Sequence, residues 1–537
     1  MRRRAFRLNI ALLNELWNRR IEPPRRYAPP LLIQGGEFLP IAWECDRKPM
    51  TAPFAQPAET VQALPEREPD EFRAWAARRS RSIGGWLLLF VGWLGGSVAL
   101  ALDLEDTRHL LDRVAFGPTP ARVATLAPLS REEAVDRLLQ ASAPSPPAPA
   151  WARERPFPDR RPLATRSEAE RRAWIRTRNQ ERDERQRALQ AGWYRQMLAA
   201  DAPLVERMTL FWHNHFTSES RKVRSPHLML RQHQLYRQHA LGNYADLLRA
   251  VATDPALLIY LDGHRNRKAH PNENFARELL ELFTLGEGHY TEDDVRAAAR
   301  ALSGWRLDPV SGVARFNPQQ HDAGPKTVLG RTGPWGVEAL VAILLEQPRA
   351  AEFLVEKLWR EFVAPQPDPA EVQRLAHLFR AGGYEIQPLL RALLLSEAFW
   401  APEQRGALVK SPVELIVGTL IRFDLDPPAD RRLLAAGRAM GQELLNPPDV
   451  RGWRGHTAWI DADRLLARER FLRDVARART AAAGRGGTPR AEEVPRDLLW
   501  PSGVGSAAPA LGDPAAPEPG MRVRWVEAIL DPRYPLK

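Results

Sequence analysis

The uncharged run at residues 83–102 constrains this chain more than any other feature, because few folded structures accommodate twenty such residues in a row. Three arginines within 78–81 precede the run, and acidic residues follow it. A basic flank, an apolar core and the small-x-small exit at 99–101 are typical of an export signal, and the length also suits a membrane anchor. We therefore expect a signal peptide or a transmembrane anchor at 83–102. Either one would place the rest of the chain in the periplasm or cell envelope, exported or anchored to the inner membrane.

Residues 1–82 form a leader rich in proline and arginine, without a steady apolar period. We expect this leader to be disordered or mis-assigned, with Met50 as an alternative start. The only cysteine, Cys45, lies within it. The body after residue 102 therefore has no thiol for intrachain disulfides, thiolate zinc sites or a cysteine nucleophile.

The formal charge of +11 does not by itself predict nucleic-acid binding. The leader carries 15 Lys/Arg and 10 Asp/Glu, so +5 of the excess lies there and +6 remains for the body. No basic block interleaved with aromatic residues stands out, and a basic stripe on one face is what such binding requires. We expect no nucleic-acid partner.

The body is predicted to be mainly α, as a single irregular multi-helix domain at 103–480 with a small hairpin or loop insertion at 312–333. Its first segment, "LEDTRHLLDRV" from Leu104, predicts a short amphipathic helix. Residues 481–537 are rich in Gly, Ala and Pro, which predicts a flexible tail, with a short terminal helix near 521–530.

The stretch "HPNENFARELLELFTLGEGHYTEDD" from His270 concentrates carboxylates, histidines and asparagines around one predicted helix at 272–285. Glu273, Arg277 and Glu281 recur at i, i+4 and i+8, which is typical of a surface ladder of ion pairs. Glu278 differs because it lies at the edge of the apolar arc, where loss of water would raise the pKa of its carboxyl. It is therefore a candidate catalytic residue.

Two further groups supply candidate catalytic side chains. In "FWHNHF", His215 falls on an apolar helix stripe, where a hydrogen-bonded core residue and a ligand or base are the alternatives. In "FNPQQHDAGPKTVLG", His321, Asp322 and Lys326 lie on an irregular loop, and loops on rigid scaffolds commonly carry sites. The alternative is a purely structural turn in which the Asp322 carboxylate accepts hydrogen bonds from nearby backbone amides.

The segment "NPPDVRGWRGHTAW" from Asn446 supplies Trp453, Arg454 and His456 as candidate ligand-binding residues. Aromatic and guanidinium groups on a loop can stack on a sugar or an anionic ligand, or the indole can fill the core. Metal and cofactor requirements are unknown at this level. No Walker loop, Rossmann fingerprint, G-x-S-x-G or H-E-x-x-H motif is present in the chain.

Several blocks together resemble domain of unknown function family 1800: "HLLDRVAFGPTP", "MTLFWHNHF", the stretch from His270, "HDAGPKTVLG", "FLVEKLWREFV" and "NPPDVRGWRGHTAWI". They span about 105–475 in the order of the family. The family is bacterial, and the resemblance implies an exported protein whose neighbour and partner belongs to domain of unknown function family 1501. It implies no reaction. Asp461 and Asp463 depart from the polar run expected at that position.

Three functions compete. The first is a non-catalytic binding or scaffold partner of that exported protein. The second is a hydrolase-like enzyme of the cell envelope, possibly metal-dependent, which would gather the candidate catalytic side chains in one pocket. The third is binding of an envelope glycan through the loop that carries Trp453. We favour the first, because enzyme motifs are missing while tryptophans and arginines, which anchor interfaces, are present.

Overall fold

Helices are the predominant secondary structure among the described residues, which confirms the predicted mainly α class. The computed structural model describes residues 101–142, 144–159, 163–483, 493–495, 522–524, 529–531 and 533–537. All of these residues belong to one compact unit.

The first half of the described chain contains eleven α-helices, and the second half eight. In chain order the first set is α1 (Leu104–Val114), α2 (Pro120–Leu126), α3 (Arg131–Gln140), α4 (Glu168–Leu198), α5 (Pro203–His215), α6 (Ser220–Val223), α7 (Pro226–Gln238), α8 (Tyr244–Ala252), α9 (Pro255–Tyr260), α10 (Glu273–Glu278) and α11 (Glu292–Ala301). The second set is α12 (Val337–Glu346), α13 (Pro348–Phe362), α14 (Pro369–Ala381), α15 (Ile386–Leu394), α16 (Glu397–Trp400), α17 (Pro412–Arg422), α18 (Asp430–Ala439) and α19 (Ala462–Ala483).

Side-chain caps fix where many of these helices begin. Ser167 and Glu170 form a reciprocal capping box at the start of α4, and Thr291 and Asp294 form another at α11. Each box satisfies two backbone amides that a helix start would otherwise leave without partners. The middle of α4 is largely exposed, in keeping with its run of charged residues.

The helix predicted from Leu104 is confirmed as α1, but its polar face is buried in the protein instead of exposed to water. Every residue from Asp106 to Val114 is buried, including charged ones. The Asp112 carboxylate accepts a hydrogen bond from Arg422 at 2.5 Å, and Arg113 donates to the backbone oxygen of Val363 at 2.7 Å. The charged face of α1 therefore lies against distant parts of the chain instead of water.

Two antiparallel hairpins follow α11, so the predicted insertion is confirmed but contains two units. Strands β1 (Trp305–Leu307) and β2 (Ala314–Phe316) pair with Arg306 opposite Arg315. Strands β3 (Lys326–Val328) and β4 (Arg331–Gly333) pair with Thr327 opposite Thr332.

Where the tail is described, residues 522–524 form a strand instead of the start of the helix predicted near 521–530. Strand β6 (Arg522–Arg524) pairs antiparallel with β5 (Glu493–Pro495), and among the described residues after 483 helix is found at 529–530. The polar and apolar residues of "RVR" alternate, which is the pattern of a strand. Leu536 forms a bridge to Val409, so the end of the tail packs on the helical body.

No helix among the described residues is long and apolar enough to cross a membrane. The predicted signal or anchor at 83–102 lies outside the described residues except for its last two, and so does the leader at 1–82.

Candidate binding cleft

The helix predicted at 272–285 is α-helical only in its first half. After α10 it continues as a π-helix at Leu279–Leu285. The Thr284 hydroxyl donates to the Leu279 carbonyl at 2.6 Å, and donors from other helices bond carbonyls near the end of the π-helix. Because the wider turn rotates later side chains, Glu281 leaves the predicted ladder and accepts a hydrogen bond from Tyr290 at 2.6 Å. Arg277 pairs with Glu292 at 2.7 Å and with Glu273 at 3.5 Å.

His215 is one of the donors that hold this π-helix. Its Nε2 lies 3.1 Å from the Phe283 carbonyl, and its Nδ1 lies 3.1 Å from the Lys357 ammonium. Lys357 also donates to the Leu282 carbonyl at 2.8 Å. The imidazole is therefore neutral, with its proton on Nε2. Burial and the charge of Lys357 hold the pKa of His215 well below its ordinary value.

Lys357, which the sequence did not single out as a candidate, has an unusual environment. Burial, followed by the nearby charge of Arg360, lowers the pKa of its ammonium to about 7. Its only described hydrogen-bond partners are the Leu282 carbonyl and the His215 imidazole, so it supports the core alternative for His215.

Glu278 lies half-buried at the junction between α10 and the π-helix. Burial and the neighbouring Glu281 raise the pKa of its carboxyl, while Arg451 and Arg277 oppose the rise. This is the shift expected for a carboxyl at the edge of an apolar arc. Tyr260 shares the environment, because burial and three nearby carboxylates, including that of Glu278, raise its pKa to about 12.

His321, Asp322 and Lys326 form a separate network around the end of α11. Arg300 donates to both carboxylate oxygens of Asp322, at 2.6 and 3.2 Å, and these bonds lower the pKa of that carboxyl. His321 Nδ1 lies 3.0 Å from the Ser303 carbonyl. The Lys326 ammonium is buried and donates to the carbonyl of Asp322 at 2.7 Å and to a second carbonyl at 2.8 Å. These hydrogen bonds tie the loop to itself and to the end of α11, as in a structural turn.

The loop after Asn446 is fixed to the "WHNHF" helix end by Asn214. Its side chain accepts a hydrogen bond from the Trp453 amide at 2.7 Å. Gly452 has φ +83, and a Cβ there would lie 2.3 Å from Asn214 Oδ1, so the loop requires glycine. The Trp453 side chain is buried, which favours the core alternative for this residue, whereas Arg454 is exposed. Burial lowers the pKa of His456 to about 4.

The candidate catalytic side chains therefore lie in three local networks, each with its own partners. His215 bonds the π-helix, Glu278 interacts electrostatically with Arg451 and Tyr260, and Asp322 anchors the loop with His321 and Lys326. No group of three or more His, Cys, Asp or Glu within the described residues is arranged to hold a metal ion.

An open cleft lies beside the first residues of the quoted stretch and has a different character. Its volume is about 1020 Å³. Two features define it, a polar lining and a concentration of guanidinium groups. The lining residues are Arg265, Arg267, His270, Pro271, Asn272, Glu273, Arg306, Asn317 and Gln320. We call this feature the arginine cleft.

A buried asparagine, Asn266, holds the walls of the arginine cleft together. Its side-chain oxygen accepts a hydrogen bond from the Asn272 backbone amide at 3.0 Å, and its side-chain nitrogen donates one to the Ala299 carbonyl at 2.7 Å. Its own carbonyl accepts from the Gly304 amide at 3.1 Å. This one residue thus joins the turn before α10, helix α11 and the start of the first hairpin.

The guanidinium groups of the cleft lack close carboxylate partners among the described residues. The nearest such contact is 4.0 Å, between Arg265 and Asp262. Arg306 donates to the backbone oxygen of His264 and, at 3.4 Å, to Gln320. Burial and the positive charge of Arg267 lower the pKa of Arg306. Glu273, the one acidic residue of the lining, pairs with Arg277 outside it.

The cleft residues were missed as a site by sequence reasoning. His270, Asn272 and Glu273 stand in the quoted stretch, but only Glu273 was interpreted individually, as part of a surface ladder of ion pairs. The signal that could have indicated the cleft is "HRNRKAH" at 264–270, which holds three cationic residues between two histidines. Arg306 comes from a strand and carries no local signal.

Comparison with known proteins supports the resemblance found in the blocks. No curated protein and no solved structure matches the chain significantly. The profile of the family described as "Protein of unknown function (DUF1800)" matches residues 109–528, which is most of the chain and nearly all of the helical body. The chain therefore belongs to this family, DUF1800.

Proposed function

We propose that this chain is a non-catalytic binding protein that holds a protein partner through the arginine cleft. The observation that carries the proposal is the set of three guanidinium groups in one open cleft without a close carboxylate partner among the described residues. Many other arginines of the body pair closely with a carboxylate, as Arg300 does with Asp322 at 2.6 Å. The cleft is thus a place where an external anion would complete the charge balance.

The chemistry of the cleft suits carboxylates. A guanidinium presents a planar fork of donors that matches both oxygens of a carboxylate, and such charge-assisted bonds are stronger than neutral ones. Arg265 and Arg267 are exposed, so a ligand reaches them without rearrangement of the fold. Asn272, Asn317 and Gln320 add amide groups that can bond the backbone of a bound chain.

The partner that we propose is the exported protein of domain of unknown function family 1501 implied by the family resemblance. We also propose that residues 83–102 act as the signal peptide or anchor that brings the helical body to the same compartment. The basic flank and the apolar run support this part of the proposal.

A hydrolase-like activity is the second candidate, and one observation favours it. Glu278 is a half-buried carboxyl with a raised pKa, next to Arg451 and Tyr260, and such groups are candidates for acid or base chemistry. The separation of His215 and Asp322 into other networks weighs against a shared site. Glycan binding has less support, because the Trp453 side chain is buried and offers no face for stacking.

Direct binding tests the proposal. The full chain and the purified family 1501 protein from the same organism are mixed, and complex formation is followed by biolayer interferometry at low and high salt. We expect saturable binding that weakens as salt increases, since exposed charges are screened. Absence of binding at both salt concentrations would contradict the proposal. A Glu278→Gln variant that binds normally would separate binding from the second candidate function.

A further inference from the structure

The first hairpin extends the arginine cleft with an exposed surface that the proposed function does not yet use. Arg306 of β1 lines the cleft and stands opposite Arg315 of β2. Paired residues of two antiparallel strands lie on the same face, and so do residues two apart on one strand. Val313, two residues before Arg315, therefore shares the face of Arg306. Val313 and Val310 are exposed, at 47% and 51%.

This hairpin is held firmly by its own turn and by the body. The Asp308 carboxylate accepts hydrogen bonds from the amides of Val310 at 3.0 Å and of Ser311 at 2.7 Å. Arg231 of α7 donates to the Ser311 carbonyl at 2.8 Å. At Gly312 a Cβ would lie 2.7 Å from Pro156, so the turn packs closely on the segment before α4. The exposed valines are thus presented on a fixed support.

We propose that the arginine cleft and this hairpin face together bind an extended, acidic peptide segment of the partner, a proposal that rests on the proposed function. Aspartate or glutamate side chains bind the guanidinium groups, and an apolar side chain of the same segment packs against Val313. Complementary charge selects the acidic residues. The adjoining valines select a peptide over a simple anion, because an inorganic anion gains nothing from an apolar contact.

The geometry also sets the spacing within the bound segment. Val313 directly precedes β2 and lies two residues from Arg315, the pairing partner of Arg306, which is roughly 7 Å at about 3.4 Å per residue. An extended peptide covers this distance with about two residues. The apolar residue is therefore expected two or three positions from the acidic ones.

The test uses the full chain and fluorescein-labelled peptides in fluorescence anisotropy. The first peptide carries glutamates and a leucine at the expected spacing, the second replaces glutamate by glutamine, and the third replaces leucine by serine. We expect the second to bind at least about tenfold more weakly, and the third a few-fold more weakly. Equal binding of the first and second peptides would overturn the proposal.

Matched variants place the peptide in the cleft. Arg265→Glu with Arg267→Glu reverses two exposed cleft charges, and Arg431→Glu with Arg432→Glu makes the same change on the exposed start of α18. The cleft variant is expected to bind the first peptide at least about tenfold more weakly, and the α18 variant within about twofold of the parent. Equal loss in both variants would indicate a general charge effect and overturn the proposal.

A second pair tests the apolar contact. Val313→Ser should lose the preference for leucine over serine in the peptide, whereas Leu466→Ser, at a residue exposed to 43%, should keep it.

Competition by inorganic phosphate as strong as that of the peptide would indicate a simple anion site. If the protein floats with vesicles of anionic phospholipid and the peptide does not displace it from them, the cleft binds a membrane surface. Either result would overturn the proposal.

The failure of this inference and that of the proposed function are distinguishable. If the family 1501 protein binds the cleft variant as tightly as the parent, the partner docks elsewhere, so the inference fails while the binding function stands. If neither that protein nor the acidic peptide binds the parent, the proposed function fails as well.

Discussion

The buried carboxylate of Glu414 provides a quantitative test of how the helical body is held together. The side chain is 5% exposed and contacts two cations, Arg207 at 1% and Lys537 at 4% exposure. Its second oxygen accepts from the Ser411 amide at 2.7 Å and completes a capping box at α17. Glu414→Gln removes the charge but keeps the box, since glutamine serves in that position as glutamate does.

Two estimates agree on the size of the effect. Burial alone would raise the pKa of Glu414, but Arg207 and Lys537 outweigh burial and lower it from 4.5 to about 2. This lowering of the pKa corresponds to about 3 kcal/mol of stability at neutral pH. Leaving buried cations without their carboxylate typically costs about 3–5 kcal/mol. We therefore expect Glu414→Gln to lower the free energy of unfolding by about 3 kcal/mol at pH 7.

The pH dependence follows from the direction of the shift. Because the folded pKa is lowered, the stabilisation is complete above about pH 4.5 and is lost as the pH falls towards about 2. The difference between the parent chain and Glu414→Gln should therefore shrink to about 1 kcal/mol at pH 3.

Urea unfolding of the full chain, followed by circular dichroism at pH 7 and pH 3, measures both quantities. Glu361→Gln is the matched control, because Glu361 pairs with the same arginine at 2.5 Å but is 31% exposed. A partly exposed pair contributes about 1 kcal/mol or less. If the Glu414 and Glu361 variants lose the same stability at pH 7, or if the Glu414 effect persists at pH 3, the reasoning is refuted.

Three further variants test other parts of the structure. Burial raises the pKa of Asp254 to about 6, so the free energy of unfolding should fall as the pH rises from about 4 to 6. Asp254→Asn should flatten this part of the pH profile, and an unchanged slope would contradict the prediction. Asn266→Ala leaves the Asn272 amide and the Ala299 carbonyl without partners, so unfolding free energy should fall by about 2–3 kcal/mol and peptide affinity with it. Lys326→Met should cost about 2 kcal/mol in the same assay, because two carbonyls lose their buried donor, and a neutral result would show that the loop does not need it.

Local patterns predicted the features that depend on local interactions. Capping boxes such as those at Ser167 and Thr291 can be recognised in the sequence because each is complete within four residues of chain. The boundaries of most helices follow from such caps and from prolines that suit a first turn, as at the start of α5. The raised pKa of Glu278 is confirmed as well, since helix periodicity alone places it at the edge of the apolar arc.

Features that depend on distant contacts could not be read from local patterns. The polar residues of α1 suggest a surface, but their partners lie far along the chain, as Arg422 does for Asp112. The π-helix after Glu278 was missed for the same reason. Donors from α5 and α13, His215 and Lys357, bond its carbonyls. The arginine cleft combines a turn near Arg267 with Arg306 of a hairpin, and only the fold brings the two together.

The most direct test of the central claim is hydrogen–deuterium exchange of the full chain with and without the acidic peptide. We predict slower exchange at the walls of the arginine cleft, in 263–273 and 317–320, and along the hairpin at 305–316. Slowing confined to other segments, or no change at saturating peptide, would show that the cleft is not the binding site.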